Sequence, residues 1–146
     1  MFKKILVATD GSMSSEQAVR LALELGTAHN AKVMALHVID PYPFIGIGSV
    51  NPAGYLAYMD AAKKNAADAH QRFMDLAEKM APSVAVECLL AEGSGVSASI
   101  VQASKENDCD LIVIGSHGRG TLGRLMLGSV ATKVTHEASI PVLIAR

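Results

Sequence analysis

The chain is 146 residues long, half of them apolar, with a formal net charge of −1 and no run of like charge. That length fits one domain, 1–146, with enough apolar material for a sizeable core. The balanced charge argues against a nucleic-acid or anionic-membrane partner, and no segment approaches the roughly 20 apolar residues of a membrane helix.

At the N-terminus, Lys3 and Lys4 precede only Ile5-Leu6-Val7-Ala8 before Thr9-Asp10 interrupts, too little for a secretory leader. The two cysteines, Cys88 and Cys109, lack CxxC spacing and suit a reduced, cytoplasmic setting. Short apolar runs at 5–9, 33–39, 84–90, 111–114 and 142–144 are rich in Val, Ile and Leu. Each is too short for a helix, and none alternates cleanly with polar residues. Both properties predict parallel strands covered on two faces.

Longer segments between the runs carry helical spacing. Ser14 with Gln17 reads as a capping box, followed by Ala18, Leu21, Ala22 and Leu25 on one face. Ala62, Ala66, Ala69, Phe73, Leu76 and Met80 step by three and four, and Ala81-Pro82 closes that helix. A third helix is predicted over 94–107, with Val96, Ile100 and Ala103 inward, and a fourth over 129–137. The segment 40–60 holds three prolines and three glycines without a period, and is expected to be a loop: a lid, a partner surface or an unstructured insertion.

Alternation of this kind predicts an α/β fold. It would be a single open five-stranded parallel sheet with helices on both faces, three layers, in strand order 3-2-1-4-5. In such sheets ligands sit beyond the carboxyl ends of the strands, where the order reverses. The end of the first strand, Ala8-Thr9-Asp10-Gly11-Ser12, should meet the end of the fourth there. The fourth is the more informative. Leu111-Ile112-Val113-Ile114 leads into Gly115-Ser116-His117-Gly118, and nine residues later Gly128-Ser129 opens a helix. Strand, glycine loop and helix start form the layout of a phosphate site, because the first helical N–H groups have no internal partner.

Lys-Ile-Leu-Val-Ala-Thr-Asp-Gly-Ser at 4–12, Asp110-Leu111 before the glycine loop, Leu127-Gly128-Ser129-Val130, and the ending Pro141-Val142-Leu143-Ile144 resemble the universal stress protein family. The resemblance covers the whole chain. The Gly-x2-Gly-x9-Gly-Ser spacing looks like that family's ATP-binding branch. It implies ATP across the switch point, with ADP or AMP left open as the resident ligand. Ala8, Thr9 and Asp10 would lie beside the adenosine, and the Val38 backbone would meet the adenine. Gly115, His117, Gly118 and Arg119 would surround the ribose and first phosphates. Gly128, Ser129 and Val130 would hold the later phosphates.

Asp10 cannot face a triphosphate unaided, since like charges 4 Å apart cost on the order of 4 kcal/mol at an effective dielectric of 20. It should face the ribose or adenine, or share a Mg²⁺ or Mn²⁺ with the phosphates. As a plain turn former, Asp10-Gly11 is the simpler alternative. Arg119, and less strongly Arg124, are candidates to neutralise phosphate charge. Gly118–Gly123 spells GxGxxG but opens no helix, no Walker lysine motif exists, and a receiver-type phosphoacceptor would have only Glu92.

Two functions remain. One is a nucleotide-dependent regulatory protein of the stress response, without catalytic residues. The other is a slow ATPase or autophosphorylating enzyme on the same fold, for which neither a base nor a phosphate lysine is evident. The apolar run 140–145 should form an edge strand. Family resemblance implies a homodimer by antiparallel pairing of that edge, with a regulatory protein partner unidentified.

Overall fold

The computed structural model describes residues 1–42, 52–93, 95–117 and 126–146. The chain runs β1 (Lys4–Ala8), α1 (Met13–His29), β2 (Lys32–Ile39), α2 (Pro52–Met80), β3 (Val86–Glu92), α3 (Val96–Glu106), β4 (Leu111–Gly115), α4 (Ser129–Glu137) and β5 (Val142–Ala145). The five strands form one parallel sheet in the order β3-β2-β1-β4-β5, as the alternation predicts. From β1 the chain builds outward through β2 to β3, then returns and builds the other way through β4 and β5. The switch point is therefore the seam between β1 and β4.

Successive strand residues point to opposite faces, and each face has its own core. Ile5, Val7, Val33, Ala35, Leu111 and Val113 pack with Ala18, Ala22, Leu23 and Phe73 under α1 and α2. Leu6, Met34, Leu36, Ile112 and Ile114 pack with Ile100, Val101, Ala131 and Val134 under α3 and α4. The central strand is sealed from both sides: Ile5, Leu6 and Val7 are wholly buried. This double coverage explains why no strand alternates with polar residues.

Three local expectations are corrected. The cap of α1 is Ser12, not Ser14. Asp10 Oδ1 accepts the Ser12 N–H at 2.9 Å, and Gly11 takes φ +79°, so the chain has turned by Ser12. The Ser12 Oγ then accepts the Ser15 N–H at 3.2 Å, and Ser14 already lies in the first turn. Second, β3 begins at Val86 rather than 84 and extends to Glu92, because its register against β2 pairs Val33 with Val86 and Ile39 with Glu92. Val84 instead packs against the α1–α2 core.

The third correction matters most for the site. Residues 52–60 of the segment expected as a 40–60 loop are helix. α2 starts at Pro52, where a proline costs nothing because the first helical N–H has no partner. Its first turns are held by the Tyr58 hydroxyl, which donates to the Asp40 carbonyl at 2.8 Å. Residues 43–51 of the predicted loop lie outside the described residues. At 1.5 Å per residue, the 29 residues of α2 span about 43 Å, well beyond the strands it covers. Among the described residues, no helix is long and apolar enough to cross a membrane.

Candidate functional site

Beyond the carboxyl ends of β1, β2 and β4 lies a cleft of about 490 Å³. That is within the range of small-molecule sites. Ala8, Thr9 and Asp10 form its floor on the β1 side. Thr9 is buried; its N–H donates to the Leu36 carbonyl at 2.9 Å and its hydroxyl lies 3.3 Å from that of Ser15. These bonds fix the β1 end rigidly. The Asp10 carboxylate holds the turn into α1 through the Ser12 N–H, so its turn-forming role is real.

From β2 come Leu36, His37, Val38, Ile39 and Asp40, so the strand passes along one side of the cleft. From β4 come Ile114, Gly115, Ser116 and His117. The Ser116 N–H donates to the Ala145 carbonyl at 2.8 Å, and the Ser116 carbonyl accepts the Gly128 N–H at 2.7 Å. The second bond places the start of α4 directly beside the end of β4. Two stretches eleven residues apart in sequence thereby become one wall, with Gly128, Ser129, Val130 and Ala131 facing the cavity.

The scaffold itself requires glycine at 115. A Cβ there would sit 2.5 Å from Ser14 Oγ and 2.8 Å from the Ser14 carbonyl oxygen. The missing side chain lets the first turn of α1 press against the end of β4. Next in the chain, His117 Nδ1 lies 3.0 Å from Ser116 Oγ, and its backbone N–H donates to Ser14 Oγ at 3.4 Å. Its Nε2 is buried and has no hydrogen-bond partner among the described residues. A buried polar atom of this kind is costly unless something pairs with it.

The electrostatics favour an anion at one end. α4 has Gly128 as its N-cap, and no side chain caps its first turn. Its first intrahelical bond runs from the Thr132 N–H to the Gly128 carbonyl, leaving the N–H groups of Ser129, Val130 and Ala131 without a helical acceptor. α3 likewise starts without a side-chain cap, and its first residue, Val96, lines the same cleft. Both helix dipoles point their positive ends here. Among the described residues, no lysine or arginine lines the cleft, and its carboxylates are Asp10 and Asp40. Nor do the described residues contain a cluster of three or more His, Cys, Asp or Glu side chains able to hold a metal.

Of the residues singled out in the sequence, Ala8, Thr9, Asp10, Val38, Gly115, His117, Gly128, Ser129 and Val130 all line this one cavity. Gly118, Arg119 and Arg124 lie outside the described residues. Sequence reasoning missed the wall supplied by α2: Tyr58, Ala61, Ala62 and Asn65. A signal existed, since these positions extend the stripe of Ala66, Ala69 and Phe73 backwards at helical spacing.

Comparison with known proteins matches the model of the universal stress protein family to residues 1–146. The chain belongs to the universal stress protein family. A universal stress protein of Thermus aquaticus is 33% identical over the full length of both chains. The fold is that of the universal stress protein UspA of Lactobacillus plantarum, with a TM-score of 0.81, 24% identity, and 99% of this chain and 97% of that one covered. A universal stress protein solved in complex with cAMP is 25% identical, with a TM-score of 0.64 over 99% of this chain and 97% of that one.

Proposed function

We propose that this universal stress protein binds an adenine nucleotide, ATP, in the cleft, and acts as a nucleotide-dependent regulator of the stress response. The observation that carries the reading is the Gly128 N–H to Ser116 carbonyl bond. It sets three N–H groups of α4 that have no acceptor among the described residues across a 490 Å³ cavity from the ends of β1 and β2. The relative in complex with cAMP supports an adenine nucleotide as the ligand class.

In this reading the base lies along the end of β2 near Val38, and the ribose lies by Asp10 and His117. The buried Nε2 of His117 is suited to a hydroxyl or phosphate oxygen. The later phosphates lie at Gly128, Ser129 and Val130, while the roles proposed for Gly118 and Arg119, at the ribose and first phosphates, fall outside the described residues. Where Mg²⁺ or Mn²⁺ accompanies the phosphates, Asp10 is the carboxylate that would share it, as the alternative to facing the ribose. Among the described residues, charge compensation rests on backbone N–H groups, an arrangement suited to holding a nucleotide. Bound ATP should persist for hours. Sustained conversion to ADP would favour the enzymatic alternative.

The test is calorimetric titration of ATP into the wild type and the double variant Gly128→Ala with Ser129→Ala. Gly128 has φ −61°, which alanine adopts freely, so the fold should be retained. The variant should lose at least tenfold in ATP affinity with little change in Tm. Undiminished affinity in the folded variant overturns the phosphate assignment.

A further inference from the structure

α2 supplies a wall of the cleft that is independent of the glycine loop. Tyr58, Ala61, Ala62 and Asn65 share one helix face. Further along, the same face carries Ala66, Ala69 and Phe73 into the core. The stripe therefore leaves the sheet and passes over the cavity. Ala61 and Ala62 keep the passage open, and Tyr58 is the one large residue on it.

Tyr58 is half-buried, and its orientation is fixed from two sides. Its hydroxyl donates to the Asp40 carbonyl at 2.8 Å. Its ring meets Tyr42 at 5.3 Å between centroids and 71° between planes, and Tyr42 meets Tyr55 at 5.7 Å and 82°. Edge-to-face geometry of this kind is attractive for aromatic pairs. The chain has three tyrosines and no tryptophan, and all three tyrosines gather at the exit of β2. With its hydroxyl engaged and its rotamer held, Tyr58 has little further conformational freedom to lose when it receives a ligand.

We propose that Tyr58 is a specificity residue: its ring packs against a base seated at the end of β2 and selects purine over pyrimidine nucleotides. The proposal rests on the nucleotide reading given above. Stacking on an aromatic side chain is available to every base, but the larger purine overlaps more of the ring.

The experiment titrates ATP and CTP into the full chain, as wild type, Tyr58→Ala, Tyr58→Phe and Tyr55→Ala. Tyr55 belongs to the same cluster but does not line the cleft. Tyr58→Ala should weaken ATP by roughly tenfold and CTP by much less. Tyr58→Phe keeps the ring and loses only the bond to Asp40, so it should cost clearly less ATP affinity than Tyr58→Ala, and so should Tyr55→Ala. Tyrosine emission gives a second readout, since no tryptophan masks it. ATP should quench the wild type, and most of that quenching should be absent in Tyr58→Phe.

Equal losses for ATP and CTP, an unchanged ATP affinity in Tyr58→Ala, or a Tyr55→Ala defect as large as that of Tyr58→Ala would each overturn the proposal. If Tyr58→Ala fails to fold, unchanged quenching in Tyr58→Phe overturns it instead. A wild type that binds neither nucleotide removes the nucleotide reading itself, and the selectivity proposal with it. Wild-type ATP binding with an indifferent Tyr58→Ala removes only the latter.

Discussion

Gly115 shows how a residue in a binding motif can be demanded by the scaffold. The carbonyl carbon of Ser14 lies 3.0 Å from where a Cβ at this position would stand, so backbone as well as side-chain atoms fill the space. Gly115→Ala should therefore destabilise the nucleotide-free protein by about 1–3 kcal/mol, the usual cost of forcing extra volume into a packed contact. Urea unfolding without ligand measures it. A variant as stable as the wild type, yet defective in ATP binding, would reassign Gly115 to direct ligand contact. Ser12 teaches a related lesson. The Ser14-to-Gln17 spacing satisfies the capping rule, but Asp10 and Gly11 complete the turn two residues earlier, and the first serine past a completed turn becomes the cap.

Among the elements, α2 carries the second prediction. His70 sits on its inner side, where Nε2 donates to the Leu89 carbonyl of β3 at 3.0 Å and the ring stands 6.3 Å from that of His37 on β2. Burial holds its pKa below the ordinary 6.5, and the bond to Leu89 only partly offsets this. The unfolded chain therefore takes up the proton first. The contribution of neutral His70 is fully present above pH 6.5 and declines as the pH falls below it. Glutamine can keep the donor to Leu89 without titrating. Stability measured by urea from pH 7.5 to 5.5 should fall more steeply for the wild type than for His70→Gln. Parallel curves would show that His70 titrates alike in both states.

The same helix shows what the sequence could and could not convey. Strand order, the two-faced core and the meeting of the β1 end with the glycine loop were all legible. Each follows from short apolar runs and the chirality of parallel connections. The first nine residues of α2, 52–60, were not. Pro52 and Gly54, following Pro41, Pro43, Gly46 and Gly48, read locally as loop, while the contacts that hold this stretch helical are tertiary: Tyr58 to Asp40, and the ring contacts with Tyr42. The start of β3 shifted for the same reason, since register against β2 outweighed the apolarity of Val84.

At the scale of the whole molecule, β5 is an edge of the sheet, and one side of it is engaged. The carbonyls of Pro141 and Ala145 accept from Ile112 and Ser116 of the β4 side, so the backbone groups of Val142 and Ile144 turn outward. A second copy related by a two-fold axis would pair with them antiparallel. We therefore expect a homodimer at micromolar concentration by sedimentation velocity. Ile144→Pro, which removes an outward donor and spares the bonds to β4, should shift it towards monomer. A monomeric wild type, or a proline variant that stays dimeric, would exclude this edge as the interface.

Ser116 gives that edge a further meaning. Its N–H holds Ala145, the last residue of β5, and its carbonyl holds Gly128, the cap of the helix that faces the cleft. Two hydrogen bonds on a single peptide neighbourhood thus join the outer strand to the helix that opens onto the cleft. Equilibria coupled through a shared contact are bound by reciprocity: whatever free energy occupancy of the cleft lends to pairing of the strand, pairing must return to occupancy in equal measure. The protein would then read its own concentration and that of its ligand through the same few atoms.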